Sequence, residues 1–99
     1  IKEDTIMPKF SLGQLVATRG IADKMQDSKE FSDFITRSLA RYKLSDWGDT
    51  NESDKLTNDH AVDGQDRIIA AYNYNSATTI WIITEWDRSC TTILFPSEY

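Results

Sequence analysis

A close grouping of charged side chains in the second half of the chain lies in a five-residue turn, residues 85–89. Glu85, Asp87 and Arg88 fall within this turn. Paired carboxylates serve in general acid–base catalysis, and the arginine could pair with either carboxylate through a charge-assisted hydrogen bond. The plainer interpretation is an ion pair that fixes the turn, because no histidine or nucleophile is near in sequence. We treat Glu85, Asp87 and Arg88, together with Trp47, as a secondary candidate site.

Acidic residues are concentrated between residues 45 and 66. This segment contains seven acids and one lysine, a local charge of −6, whereas the whole chain carries −5 and the remainder sums to +1. Carboxylates spaced along a loop and a helix can imitate phosphates and enter a basic channel on another protein, since complementary potentials speed association. A solvated surface without a partner is the alternative. The candidate partner-binding residues are Asp46, Asp49, Glu52, Asp54, Asp59 and Asp63.

Sequence motifs for metal or nucleotide chemistry are missing. His60 is the only histidine and Cys90 the only cysteine. The spacing Asp49-x-Asn51-x-Ser53 lacks the glycine and the terminal glutamate of a calcium-binding loop. No Walker A loop, GxGxxG or GxSxG pattern occurs. We therefore expect no catalytic residue, no metal and no cofactor, and a protein that is not an enzyme.

Length and composition predict one soluble domain, residues 9–99. The 99 residues are 39% hydrophobic and 27% charged, which suits a single modest core. The negative charge argues against direct nucleic-acid binding, which needs clustered lysine and arginine. No apolar run nears the roughly 20 residues that cross a bilayer, and no secretion signal is recognisable. With a single cysteine, these features predict a cytoplasmic protein without membrane contact.

Residues 1–8 show no periodicity and are predicted to be a flexible lead-in to the domain. Met7 is a candidate native start, in which case Ile1–Ile6 would be additions to the native chain.

Three helices are predicted before the sheet. A short one ends near residue 27, and the apolar spacing of residues 29–42 predicts a longer one that Ser28 caps. A third is predicted over residues 54–62, with Ser53 as its cap and Gly64 at its end. Trp47, in the polar loop that precedes this helix, is predicted to fill the edge of the core.

Extended, β-branched or alternating segments predict four strands, over residues 10–17, 67–74, 79–85 and 91–95. Short turns join the last three strands, which predicts an antiparallel meander. The fold class is therefore α+β: a three- to four-stranded antiparallel sheet with two to three N-terminal helices packed on one face. Trp81 and Ile83 would lie on the second face. Because exposed tryptophan needs cover, a homodimer through this face or a sheet edge is a further alternative.

Several stretches of the chain resemble a bacterial family. They are LGQLVATRG at residues 12–20, SDWGD at 45–49, DKLTND at 54–59 and IWIITEWDRSCTTILFPSEY at 80–99. The pattern ITE-x-DRS-x-TTIL-x-P-x-EY is similar to small proteins usually labelled only as plasmid-related, found on plasmids and integrative elements. The chain departs from that pattern at Arg19, where proline is common, and at Trp86, where a small residue is common. The resemblance implies a mobile-element context and no particular activity.

Together these features predict a non-enzymatic accessory protein of a mobile genetic element that binds another protein. Its acidic residues would form the electrostatic face, and a host nucleic-acid-binding or defence protein would be the partner. The rival expectation is a small enzyme or small-ligand binder centred on Glu85, Asp87 and Arg88. A structural homodimer is the third.

Overall fold

The structure is a computed structural model and describes residues 8–99, which fold into three α-helices and a four-stranded sheet. In chain order the elements are β1 (Gln14–Ala17), α1 (Arg19–Asp27), α2 (Lys29–Lys43), α3 (Glu52–Asp63), β2 (Ile68–Asn75), β3 (Thr78–Thr84) and β4 (Cys90–Leu94), followed by a 3-10 turn at Pro96–Glu98. The predicted α+β class is confirmed. Of the predicted lead-in, residues 1–8, all but Pro8 lies outside the described residues.

Polar side chains define where the helices begin. The three caps are Thr18, Ser28 and Asn51, each accepting a hydrogen bond from the backbone N–H three residues later. The cap predicted at Ser28 is confirmed. The cap predicted at Ser53 is wrong, because Asn51 Oδ1 lies 2.8 Å from the backbone nitrogen of Asp54 and starts α3 two residues earlier. Gly64 ends α3 as predicted. None of the helices within residues 8–99 is long and apolar enough to cross a membrane.

The sheet is mixed, with the strand order β1-β4-β3-β2. Strands β2, β3 and β4 form the predicted antiparallel meander, in which Trp81 lies opposite Ala71 on one side and Leu94 on the other. Strand β1 pairs with β4 in parallel, with Leu15 opposite Thr91. A parallel pair needs a long connection between its strands, and here the helices, β2 and β3 all lie between them.

Helices α1 and α2 cover one face of the sheet. The buried residues of this core are Phe10, Ile21, Phe31, Phe34, Ile35, Tyr42, Trp47, Ala61, Ile68, Ala70, Tyr72, Ile80, Ile82 and Ile93. A chain of hydroxyl groups crosses the core, from Tyr42 to Thr84 and on to Thr91, with oxygens 2.7 Å apart at each step. Thr91 donates its hydroxyl proton to the carbonyl of Leu12 at 2.7 Å. Thr84 must therefore donate to Thr91, and Tyr42 must donate to Thr84, so each of the three hydroxyls has a hydrogen-bond partner. Burial raises the pKa of Tyr42, which stays a neutral donor.

The outer edge of β2 is covered by the loop after α2 and by α3. The backbone nitrogen of Asp49 donates to the carbonyl of Ala71 at 2.8 Å, and the backbone nitrogen of Ala71 donates to Thr50 Oγ1 at 2.9 Å. The side-chain amide of Asn58 donates to the carbonyl of Ile69 at 2.8 Å and accepts from its nitrogen at 3.3 Å. An open strand edge invites pairing with other chains, and these bonds close this one.

Candidate functional site

The six acids predicted to bind a partner all lie on the exposed surface, along the loop after α2 and along α3. We call this set the acidic surface: Asp46, Asp49, Glu52, Asp54, Asp59 and Asp63. Helix α3 buries only Asn58 and Ala61, and even its Leu56 is 63% exposed. Most of the helix circumference therefore faces solvent, which leaves the carboxylates accessible to a partner.

Two members of the acidic surface form ion pairs. Arg41 holds Asp46 through two hydrogen bonds, from Nε at 2.8 Å and from Nη2 at 3.1 Å. The bond from Arg41 keeps the pKa of Asp46 below its ordinary value. Lys55 Nζ lies 3.2 Å from a carboxylate oxygen of Glu52. Because both pairs are largely exposed, they remain open to exchange with a basic group on another molecule.

Other members of the acidic surface hold the local structure together. Asp59 accepts a hydrogen bond from the indole nitrogen of Trp47 at 2.8 Å. Asp49 Oδ2 accepts from the backbone nitrogen of Asn73 at 2.8 Å and so also helps to close the β2 edge. These carboxylates are therefore structural as well as exposed.

Trp47 lies in the core, as predicted. It is 3% exposed, and its ring lies 6.1 Å from that of Phe10 and 5.5 Å from that of Tyr42, between centroids. Its indole N–H reaches out to Asp59 on α3. Trp47 is thus an internal anchor that joins the acidic loop and α3 to the core, and it does not offer a contact surface of its own.

Arg88, in the turn between β3 and β4, binds the end of α3. Its guanidinium donates to the carbonyl oxygens of Ala61 at 2.5 Å, Asp66 at 2.7 Å and Gly64 at 3.2 Å. It also donates within its own turn, to the carbonyl of Glu85 at 3.2 Å. A cation at the C-terminal end of a helix satisfies free carbonyls and complements the helix dipole.

The carboxylates of the turn do not pair with this arginine. Among residues 8–99, Arg88 forms no ion pair with Glu85 or Asp87, in contrast to the pairing that the sequence suggested. Asp87 instead accepts from the backbone nitrogen of Ser89 at 3.0 Å, and hydrogen bonding by Ser89 lowers the pKa of Asp87. The turn residues are thus engaged in holding the loop and the end of α3.

A pocket of about 580 Å³ opens between the first half of α3 and the second face of the sheet. We call it the α3 pocket. Its lining residues are Asp49, Thr50, Asn51, Asp54, Thr57, Asn58, Arg67, Ile69, Ala71, Trp81 and Tyr99. It combines an apolar, aromatic part from the sheet with polar side chains from α3 and its preceding loop. Two members of the acidic surface, Asp49 and Asp54, contribute to it.

Tyr99 closes one side of the α3 pocket. The rings of Tyr99 and Trp81 lie 5.7 Å apart between centroids at an angle of 70°. The guanidinium of Arg67 lies 5.2 Å from the centroid of the Tyr99 ring and donates to the Tyr99 hydroxyl. Tyr99 therefore supplies part of the cover that Trp81 needs, while Ile83, 4% exposed, is already buried. The homodimer stays a prediction.

Sequence reasoning missed Arg67, Asn58 and Tyr99 as parts of a site. The available signal was Trp81, whose place on the second face required some covering residue. Nothing in the local sequence indicated that the cover would come from the last residue described. The burial of Asn58 and its hydrogen bonds to the backbone of Ile69 appear only in the fold, so the sequence did not mark this residue.

Comparison with known proteins gave no match, whether to a family model, to a curated protein or to a solved structure. The resemblance to plasmid-related proteins stays a prediction.

Proposed function

We propose that this protein is a non-enzymatic binding protein whose acidic surface docks onto a basic surface of another protein. The observation that carries the proposal is the exposure of all six carboxylates on a helix and loop that bury few of their own residues. In the mobile-element setting that the sequence resemblance implies, the partner is a host protein whose basic surface otherwise binds nucleic acid.

The distribution of charge supports this proposal. Residues 45–66 carry −6 and the rest of the chain sums to +1, so the field is strongly one-sided. Such a field raises the rate of encounter with a basic partner, and salt screens it over about 8 Å at physiological ionic strength. Binding through the acidic surface should therefore weaken steeply as salt is added.

The acidic surface is also held in a fixed shape. Trp47 joins the loop to α3 through Asp59, Asn58 fastens the middle of α3 to β2, and Arg88 fastens its end. A surface that is ordered before binding loses less conformational entropy when the complex forms. This distinguishes α3 from a charged tail that would have to fold on its partner.

The test compares two variants that remove the same amount of charge. The first, Glu52→Gln with Asp59→Asn and Asp63→Asn, neutralises three members of the acidic surface, and the asparagine at 59 keeps an oxygen for the Trp47 indole. The matched control, Asp23→Asn with Asp27→Asn and Asp33→Asn, neutralises three acids on α1 and α2. Neither variant changes a residue that lines the α3 pocket.

Immobilised wild-type and variant proteins are incubated with bacterial host lysate at about 50 mM and about 500 mM salt, and captured proteins are quantified. Exposed charge pairs contribute about 0.2–1 kcal/mol each, so the loss of three should make the first variant bind its partner about 3- to 150-fold more weakly. The control should bind like the wild type. If no basic protein is captured in a salt-sensitive way, or if the two variants lose capture equally, the proposal is wrong.

A further inference from the structure

We propose that the α3 pocket binds a small organic cation carrying a flat apolar group, such as an arylalkylamine. The proposal goes beyond docking through the acidic surface, because it concerns a cavity beside that surface and a ligand of a different kind. It stands on the size of the cavity, on the aromatic part of its lining and on the two carboxylates in that lining.

The size and lining of the pocket suit a small ligand with an apolar body. Its volume of about 580 Å³ falls within the range of about 300–1,000 Å³ typical of small-molecule sites. Ile69 and Ala71 on β2 and Trp81 on β3 bring apolar side chains to the same face of the sheet. Trp81 is only partly buried, so its indole offers a surface against which a flat group can stack.

Two carboxylates give the pocket its preference for a cation. Asp49 Oδ2 accepts a hydrogen bond from the backbone nitrogen of Asn73 at 2.8 Å. Asp54 Oδ2 accepts one from the side-chain amide of Asn51 at 3.0 Å. These bonds orient the carboxylates. Neither acid takes part in an ion pair among residues 8–99, in contrast to Asp46. An ammonium group would supply the missing charge through charge-assisted hydrogen bonds.

The lining contains one cation, Arg67, against the two carboxylates. Its guanidinium lies 5.2 Å from the centroid of the Tyr99 ring and donates to the Tyr99 hydroxyl, and it forms no ion pair with Asp49 or Asp54. The lining therefore keeps a formal charge of −1, which favours a cation over an anion. Arg67 Nε is buried and has no hydrogen-bond partner among residues 8–99, so an anionic ligand at Arg67 is the competing outcome.

The test titrates the ¹⁵N-labelled full chain with two probes of matched size and opposite charge, phenethylamine and 3-phenylpropionate, followed by amide chemical shifts. Phenethylamine should bind with a dissociation constant on the order of 1 mM, as expected for so small a ligand. It should shift the amides of Asn51, Asp54 and Ala71. The anion should bind at least about tenfold more weakly.

Variants separate the pocket from the general negative field of the protein. Asp49→Asn with Asp54→Asn keeps the internal hydrogen-bond acceptors and removes both charges, and it should weaken phenethylamine binding about fivefold or more. Asp27→Asn with Asp66→Asn removes the same charge outside the lining and should change binding by less than about twofold. Thr57→Lys places a cation in the lining at an exposed position and should also weaken binding, which keeps the test valid if the double asparagine variant does not fold.

Three results would overturn the proposal. The first is an absence of saturable chemical-shift changes with phenethylamine. The second is tighter binding of 3-phenylpropionate than of phenethylamine, which would assign an anion site to Arg67. The third is an equal loss of phenethylamine binding in the two double variants, which would show that only the general negative field attracts the ligand. Because the acidic-surface test changes Glu52, Asp59 and Asp63, outside the pocket lining, either proposal can fail without the other.

Discussion

Removal of the Arg88 side chain is predicted to destabilise the fold by releasing the end of α3. The guanidinium donates to three carbonyls outside its own turn, those of Ala61, Gly64 and Asp66. A hydrogen bond to a charged group contributes about 1.5–3 kcal/mol, but Arg88 is only half-buried and water can replace part of what is lost. We expect Arg88→Ala to lower the free energy of unfolding by about 2–3 kcal/mol, a large fraction of the roughly 5–15 kcal/mol of a typical domain.

The backbone of Arg88 gives a second, independent expectation. Its φ of 61° lies in the left-handed region, which costs a residue with a Cβ about 1–2 kcal/mol and glycine almost nothing. Arg88→Gly loses the same hydrogen bonds but relieves this strain. It should therefore be about 1 kcal/mol less destabilising than Arg88→Ala.

Urea unfolding of the wild type, the two Arg88 variants and Arg37→Ala measures these effects. Arg37 is an exposed arginine on α2, and its replacement should change the free energy of unfolding by less than about 0.5 kcal/mol. Hydrogen exchange adds a local readout, because the amide of Gly64, which donates to the carbonyl of Ala61 at 3.1 Å, should exchange faster in both Arg88 variants. If Arg88→Ala is as stable as the wild type, or Arg88→Gly is no better than Arg88→Ala, the reasoning fails.

Two further predictions concern a glycine and a pH effect. Gly48 has a φ of 64°, and a Cβ there would collide with the ring of Tyr72, so Gly48→Ala should lower the free energy of unfolding by about 2 kcal/mol or more. Gly64→Ala is the control in the same urea series, because its φ of −112° is ordinary and its Cβ would lie 3.6 Å from its nearest neighbour. An equal loss of unfolding free energy in both variants would contradict the prediction. The hydrogen bond from Arg41 lowers the pKa of Asp46 in the folded state. The ionised carboxylate therefore stabilises the fold at pH values above its unfolded pKa of about 3.9, and this stabilisation is lost as the pH falls through the lower pKa of the folded state. Asp46→Asn should therefore reduce the free energy of unfolding at pH 7 by no more than about 1 kcal/mol, the limit for an exposed pair. A pH series should show this difference shrinking as the pH falls below the unfolded pKa of about 3.9, and a difference that grows in acid would refute the prediction.

The local features of the fold were readable from the sequence because they depend on residues close together in the chain. The spacing of apolar residues along α2 and the alternation along β2 reflect the periods of a helix and a strand. The Ser28 cap depends only on a hydrogen bond to the first turn of the helix that it begins. The start of α3 was misplaced because Asn51 and Ser53 are both good caps and propensity does not choose between them.

The sequence by itself determined the α+β class, the buried role of Trp47 and the location of the negative charge, since composition and periodicity carry those. Only the tertiary structure decided that β1 pairs in parallel with β4, that Arg88 binds α3 and that Tyr99 lies against Trp81. Each of these contacts joins residues far apart in the chain. The acceptors of Arg88 are backbone carbonyls, which every residue has, so no pattern of side chains could mark them in advance.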